Sequence, residues 1–196
     1  MNRCHRVMDA LDQRHRQDPR TLTTTEGQTL PKEFWHAQQM SAWLDRLTST
    51  PSEALQIAVR GQHTERWVEP RDAYPAGREG YLKWRRDQGI RAADITAELA
   101  EEAGYDAQEV ERIRQLVRKQ GFRHDPEAQT VEDCACLVFL ENYFADFSET
   151  VDRDHMIRIV RKTWGKMSDQ ARELALTLQL PENARQLVDA ALSADS

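Results

Sequence analysis

Two histidines and an aspartate stand where this chain could carry out chemistry: His36, His63 and Asp133. Each continues an apolar stripe at helical spacing, because residues three and four apart share one face of a helix. His36 stands four residues before Met40 in the stripe Met40, Trp43, Leu44 and Leu47. His63 follows Leu55 and Val59 at the same interval. Asp133 heads the stripe Cys136, Leu137, Leu140 and Phe144. All three polar groups are therefore expected to point inward from three different helices. An ionised carboxylate buried without a partner is so costly that it is normally neutralised, paired or metal-bound. Asp133 then has three outlets: a metal ion shared with the imidazoles, a hydrogen bond to a histidine, or an arginine such as Arg60 or Arg66.

The second chemical feature is a basic and aromatic segment from Gly61 to Arg71, resumed from Tyr81 to Arg86. Arg66, Arg71 and Arg85 have the forked guanidinium suited to phosphate or carboxylate, and Trp67 and Tyr81 offer faces on which a base or sugar stacks. The structural alternative is that these arginines pair with acids such as Glu65, Glu69, Glu132 and Glu141 and lock an irregular connection to the core. No nucleophile elbow, phosphate-binding loop, dinucleotide fingerprint or His-Glu-x-x-His motif occurs. Cys134 and Cys136 lie inside an apolar helical pattern, and with Cys4 they read as reduced, packed thiols.

Helices must position these groups. Helical start and stop signals recur along the chain, while Asn-Gly and Asp-Gly hairpin signals are missing, so the expected fold class is all-α. The expected helices cover Asn2–Arg16, Pro31–Leu47, Glu53–Val68, Arg78–Asp87, Ala92–Ala103, Ala107–Lys119, Pro126–Phe147, Arg153–Lys166, Ser168–Leu178 and Pro181–Ala191. Thr21–Leu30 is expected to be a loop, 69–77 an irregular proline-containing connection and 193–196 a frayed tail. The apolar stretch Thr130–Phe147 is expected to be the central core helix.

A chain of 196 residues that is 39% hydrophobic suits one helical domain over 1–196. With 31% charged residues and a net charge of −6, binding of nucleic acid through bulk charge is disfavoured, and an anionic partner should be small. No apolar run reaches the roughly 20 residues that span a bilayer, and the first residues lack the apolar core of a signal peptide, so no membrane role and a cytoplasmic location are expected.

The segments His36–Leu44 and Ala54–His63 resemble the opening of HD-superfamily phosphohydrolases, and Val131-Glu132-Asp133-Cys134 before an apolar run looks like the element bearing their last metal-ligating aspartate. The resemblance implies an HD-like multi-helix bundle. It would make His36, His63 and Asp133 ligands of one divalent ion (Mn, Fe or Mg), and it implies hydrolysis of a nucleotide or related phosphoester. In that reading Glu132 and Arg66 are the catalytic groups, and Arg66, Trp67, Arg71, Tyr81 and Arg85 hold the substrate. The departure is Thr64, where the superfamily has an aspartate; losing that oxygen ligand and its charge lowers affinity for a hard cation. Thr64 therefore favours the rival reading, a metal-free anion-binding or protein-interaction module.

A resemblance over most of the chain is to the family called domain of unknown function 4202. It is carried by Gln62-His63-x-x-Arg66-Trp67-x-x-Pro70-Arg71, Tyr74-Pro75, Gly80-Tyr81-Leu82-x-Trp84-Arg85, Glu132-Asp133 with Cys136–Glu141, and Lys162-Thr163-Trp164-x-Lys166-Met167. That family implies a helical domain and no particular substrate.

Overall fold

A computed structural model describes residues 2–193 and contains ten α-helices and one small hairpin among them. The helices are α1 (Arg3–His15), α2 (Lys32–Leu47), α3 (Glu53–Gly61), α4 (Gly77–Glu102), α5 (Ala107–Val117), α6 (Pro126–Asn142), α7 (Phe144–Ser148), α8 (Arg153–Trp164), α9 (Asp169–Leu176) and α10 (Glu182–Leu192). The protein is an all-α multi-helix bundle. Residues 194–196 of the expected tail lie outside the described residues, and Ser193 closes α10.

Local signals account for most boundaries. Ser52 caps α3 by accepting from the Leu55 N–H at 3.1 Å, and Asp125 caps α6 with Pro126 in the first turn. Asp106 and Glu109 form a reciprocal capping box on α5.

Four boundaries differ from expectation, each for a physical reason. Thr21–Leu30 is not simply a loop: β1 (Thr21–Thr23) and β2 (Thr29–Pro31) pair antiparallel, Leu22 opposite Leu30, across a turn in which Gly27 has φ +81°. This turn is longer than the two-residue type that Asn-Gly marks, so that signal is absent. Next, α3 stops at Gly61 rather than Val68. Gly61 lies so close to α4 that a Cβ there would stand 2.4 Å from Thr96 Oγ1, and the chain turns away beyond it. The two helices expected over 78–103 are one, because the small buried residues Ala92, Ala93, Ala97 and Ala100 keep α4 continuous past Gly89 despite a cost of about 1 kcal/mol for glycine in a helix. Conversely, the long central helix breaks at Tyr143 (φ −125°, ψ −20°) into α6 and α7.

A continuous hydrophobic cluster runs from Cys4 on α1 to Ala191 on α10. Its largest fully buried side chains include Trp43, Phe144, Met40 and Ile57, each stabilising by about 1.5–3 kcal/mol. The short α3 packs against α1, α2, α4, α5 and α6, so it shares the central place expected of α6 alone. His63 emerges two residues beyond its end. None of the described helices is long and apolar enough to cross a membrane.

Candidate functional site

The site forms where the first turn of α2, the end of α3 and the following turn converge beside the start of α4 and the α6–α7 break. The turn from Gln62 to Val68 is tied down from several sides. Gln62 donates to Val117 O at 2.6 Å, and the buried Thr64 hydroxyl donates to Gly61 O at 2.9 Å. Thr64, at the position for which the HD resemblance implies an aspartate, thus serves the backbone. Glu65 adopts a left-handed backbone (φ +54°), which costs a non-glycine residue on the order of 1 kcal/mol. It is held there by Arg14 of α1 at 2.5 Å and Arg91 of α4 at 2.9 Å. This reversal brings Arg66 back against His63.

His36 and His63 stack face to face, with ring centroids 4.1 Å apart and planes 4° from parallel. Arg66 Nη1 lies 2.5 Å from His63 Nε2. A guanidinium carries only donors, so Nε2 is the lone-pair nitrogen and the ring proton sits on Nδ1. Nδ1 in turn faces Glu33 Oε2 at 3.4 Å. Glu33 is buried, and its other oxygen accepts from Arg20 at 2.8 Å. Asp18 grips the same arginine with both oxygens at 3.0 Å and accepts from the Glu33 N–H at 3.1 Å. His36 Nδ1 is 3.1 Å from the Tyr143 hydroxyl.

The electrostatics follow from this crowding. Burial pushes the imidazoles of His36 and His63 well below the usual histidine range. His63 lowers His36 further, and Arg66, Lys119 and Arg85 lower His63. Both rings are neutral at pH 7. Burial also lowers Arg66, which stays a cation because its range starts so high. Two buried atoms here have no hydrogen-bond partner, Glu33 Oε2 and His36 Nε2; neighbouring His15 has a third in Nδ1. Each unpartnered group costs about 1–3 kcal/mol, which marks the region as built for something besides stability.

The carboxylates expected at this site are engaged elsewhere. Asp133 Oδ1 accepts from the Ser168 N–H at 2.9 Å and Gln129 at 3.0 Å, while Oδ2 accepts from Ser168 Oγ at 2.6 Å. Of the three outlets open to Asp133, none is the one taken: its partners are the N-cap of α9 and a glutamine. Glu132 pairs with Lys119 at 2.6 Å and Lys166 at 3.3 Å. Burial works against its ionisation, but the two ammonium groups outweigh this and hold its carboxyl below the usual range. Arg60 turns to Asp12, at 2.7 and 2.8 Å.

The basic aromatic segment divides in two. Arg71 is spent on the carbonyls of Tyr74, Pro75 and Gly77, so it holds the connection rather than facing the histidines. Trp84 donates to Glu69 O at 2.9 Å, and the Arg66 guanidinium lies over its ring at 4.6 Å. Tyr81 is exposed beside Trp84, with Arg85 5.8 Å from its ring centre, and Trp67 is half-buried. Among the described residues, Arg66 and Arg85 form no ion pair. The segment's acids are taken by other partners: Glu65 by Arg14 and Arg91, Glu69 by the Tyr74 hydroxyl.

The metal set implied by the HD resemblance does not fit this arrangement. Asp133 is saturated by Ser168 and Gln129, and a guanidinium covers the lone pair that His63 would offer a cation. Among the described residues, no three His, Cys, Asp or Glu side chains form a group able to hold a metal ion. The residues that do gather at the histidines include Glu33, Arg20 and Tyr143, which sequence reasoning missed. Glu33 was within reach of the pattern, since it lies one turn before His36 on the same face of α2.

The fold and this cluster define an all-helical protein with two stacked histidines and an arginine gathered at a junction of helices. The chain belongs to the family described as "Domain of unknown function (DUF4202)", whose model matches residues 5–188. No curated protein and no solved structure matches it.

Proposed function

We propose that this protein binds a small phosphorylated ligand at the corner formed by His63, Arg66 and Arg85. The observation that carries this reading is Arg66: a half-buried guanidinium with an imidazole and an indole for neighbours and no carboxylate on it. Glu33 lies close enough to favour the Arg66 charge but does not bond to it, so burial still works against that charge, and an incoming phosphate supplies the direct partner in bidentate geometry. Arg85, which has no carboxylate partner among the described residues, adds to the positive surroundings of His63, as does Lys119 although it is paired with Glu132. Exposed Tyr81 provides an aromatic face nearby, which suits a nucleotide. Hydrolysis of a bound phosphoester is the catalytic form of the reading, and metal-free anion binding is the form the donor geometry favours.

Calorimetric titration of inorganic phosphate, pyrophosphate and ADP into the protein at low ionic strength tests this. Saturable binding is expected for at least one of them. Arg66→Ala should weaken it about 10- to 100-fold, the worth of a charged hydrogen-bonding partner. The absence of binding by all three at millimolar concentration would remove the proposal.

A further inference from the structure

We propose that Glu33 and His63 form a carboxylate–imidazole acid–base dyad, with Arg20 fixing the carboxylate and Arg66 covering the reactive nitrogen until a ligand arrives. The inference rests on the anion-binding reading of Arg66 and adds a catalytic centre to it that works without a metal. Three observations converge. The Arg66 contact leaves the His63 proton on Nδ1, and that nitrogen lies 3.4 Å from Glu33 Oε2, a separation that a small shift of either side chain closes to a hydrogen bond. Oε2 is buried and accepts from no donor, while Oε1 is anchored by Arg20 at 2.8 Å. A carboxylate behind Nδ1–H is the arrangement that holds an imidazole in one tautomer and stabilises the imidazolium formed when Nε2 takes a proton. Finally, His63 retains about a quarter of its side-chain exposure (24%), whereas Glu33 retains 5%, so solvent meets the imidazole and not the carboxylate. The His36 ring, stacked flat against His63, closes one face and limits the ring's rotation.

The sequence of events follows from the charges. A phosphate competes with Nε2 for the Arg66 donors and wins, because it is an anion and the imidazole is neutral. Arg66 then swings onto the ligand, and the Nε2 lone pair is exposed beside the phosphorus. A water O–H gives its proton to Nε2, and the water oxygen forms the new P–O bond as the bond to the leaving oxygen breaks. The leaving oxygen keeps that electron pair and takes the proton back from Nε2. Water is the sole co-reactant, and His63 ends as it began.

The test does not depend on knowing the substrate. Imidazole nitrogens are followed by NMR in ¹⁵N-histidine-labelled protein, and the rate of His63 carbethoxylation by diethyl pyrocarbonate, which needs an unprotonated ring nitrogen, is followed by peptide mass spectrometry. The wild type is expected to show a pyrrole-type Nδ1 and a pyridine-type Nε2 at His63. Arg66→Ala should raise the carbethoxylation rate by about 10-fold or more, and Glu33→Gln should lower it by a similar factor, a modest share of the 10²–10⁴ that a positioned acid–base group contributes. The opposite tautomer in the wild type, or equal labelling rates in all three proteins, would overturn the dyad. Should Glu33→Gln fail to fold, the wild-type tautomer and the Arg66→Ala rate still decide. Phosphate titration of the wild type, run alongside, separates failure of the dyad from failure of anion binding.

Discussion

Acid should unfold this protein over a window set by its buried histidines. His15 is fully buried, its Nε2 bonded to Arg60 O at 3.0 Å and its Nδ1 unpartnered. His36 is 6% exposed and likewise has one unpartnered nitrogen. Burial lowers both below the ordinary value of 6.5, His36 much further than His15. The unfolded chain therefore binds protons below pH 6.5 that the folded chain refuses, and stability must fall as the pH drops. The stabilisation is complete above 6.5 and is lost on the acid side, at about 1.4 kcal/mol per pH unit for each histidine that stays neutral. At pH 5.5 the two together cost up to about 3 kcal/mol, a large share of the 5–15 kcal/mol typical of a domain. His63 adds to this in the same direction, but less securely, since it is partly exposed. Asp125, held at about 2 by Arg112, begins to lose its contribution only near 3.8 and below; Glu65 and Glu132, lowered from 4.5, begin to lose theirs near 4.5, and Asp133, raised by burial, works in the opposite direction. Urea unfolding followed by tryptophan fluorescence at pH 7.5, 6.5 and 5.5 measures the effect. The proton uptake on unfolding should rise as the pH falls through the range, and His15→Gln or His36→Gln should each reduce it, His36→Gln by more. An unfolding free energy that stays level from pH 7.5 to 5.5 would refute the reasoning.

Other predictions separate scaffold from site. Asp133→Ala should destabilise the fold by roughly 2–3 kcal/mol, because the cap of α9 loses its acceptor, yet leave phosphate affinity unchanged. Denaturation and calorimetric titration of the same variant check both halves. Gly61→Ala should cost about 1–3 kcal/mol by overpacking, since the added methyl would stand 2.4 Å from Thr96 Oγ1 and that hydroxyl is bonded within its own helix at 2.7 Å. Its urea midpoint, compared with that of Gly89→Ala, where a Cβ meets nothing within 4 Å, makes the measurement.

The all-helical class was written in the sequence because it depends on local signals. Apolar spacing, caps such as Ser52, Asp106 and Asp125, and Pro126 in a first turn act over a few residues, and the helices expected from Glu53, Ala107 and Pro126 start there. The inward direction of His36 and Asp133 was likewise legible, since both are buried, while His63, beyond the end of α3, keeps part of its exposure. What the burial was for was not. Helical periodicity says which face of a helix a side chain shares and nothing about which other helix that face meets. Asp133 and the histidines head similar stripes, but Asp133 lies against Ser168 while His36 lies against His63 and Tyr143. The early end of α3 was also decided by contacts distant in sequence, among them the approach of Gly61 to Thr96, whereas the hairpin is local and escaped because its turn is longer than the type Asn-Gly marks. The pairing of Arg66 with His63, and of His63 with Glu33, depends on a left-handed turn at Glu65 clamped by arginines from α1 and α4. Helix type and facing are short-range properties and can be read along the chain; a site assembled from five segments exists only once tertiary packing has brought them together.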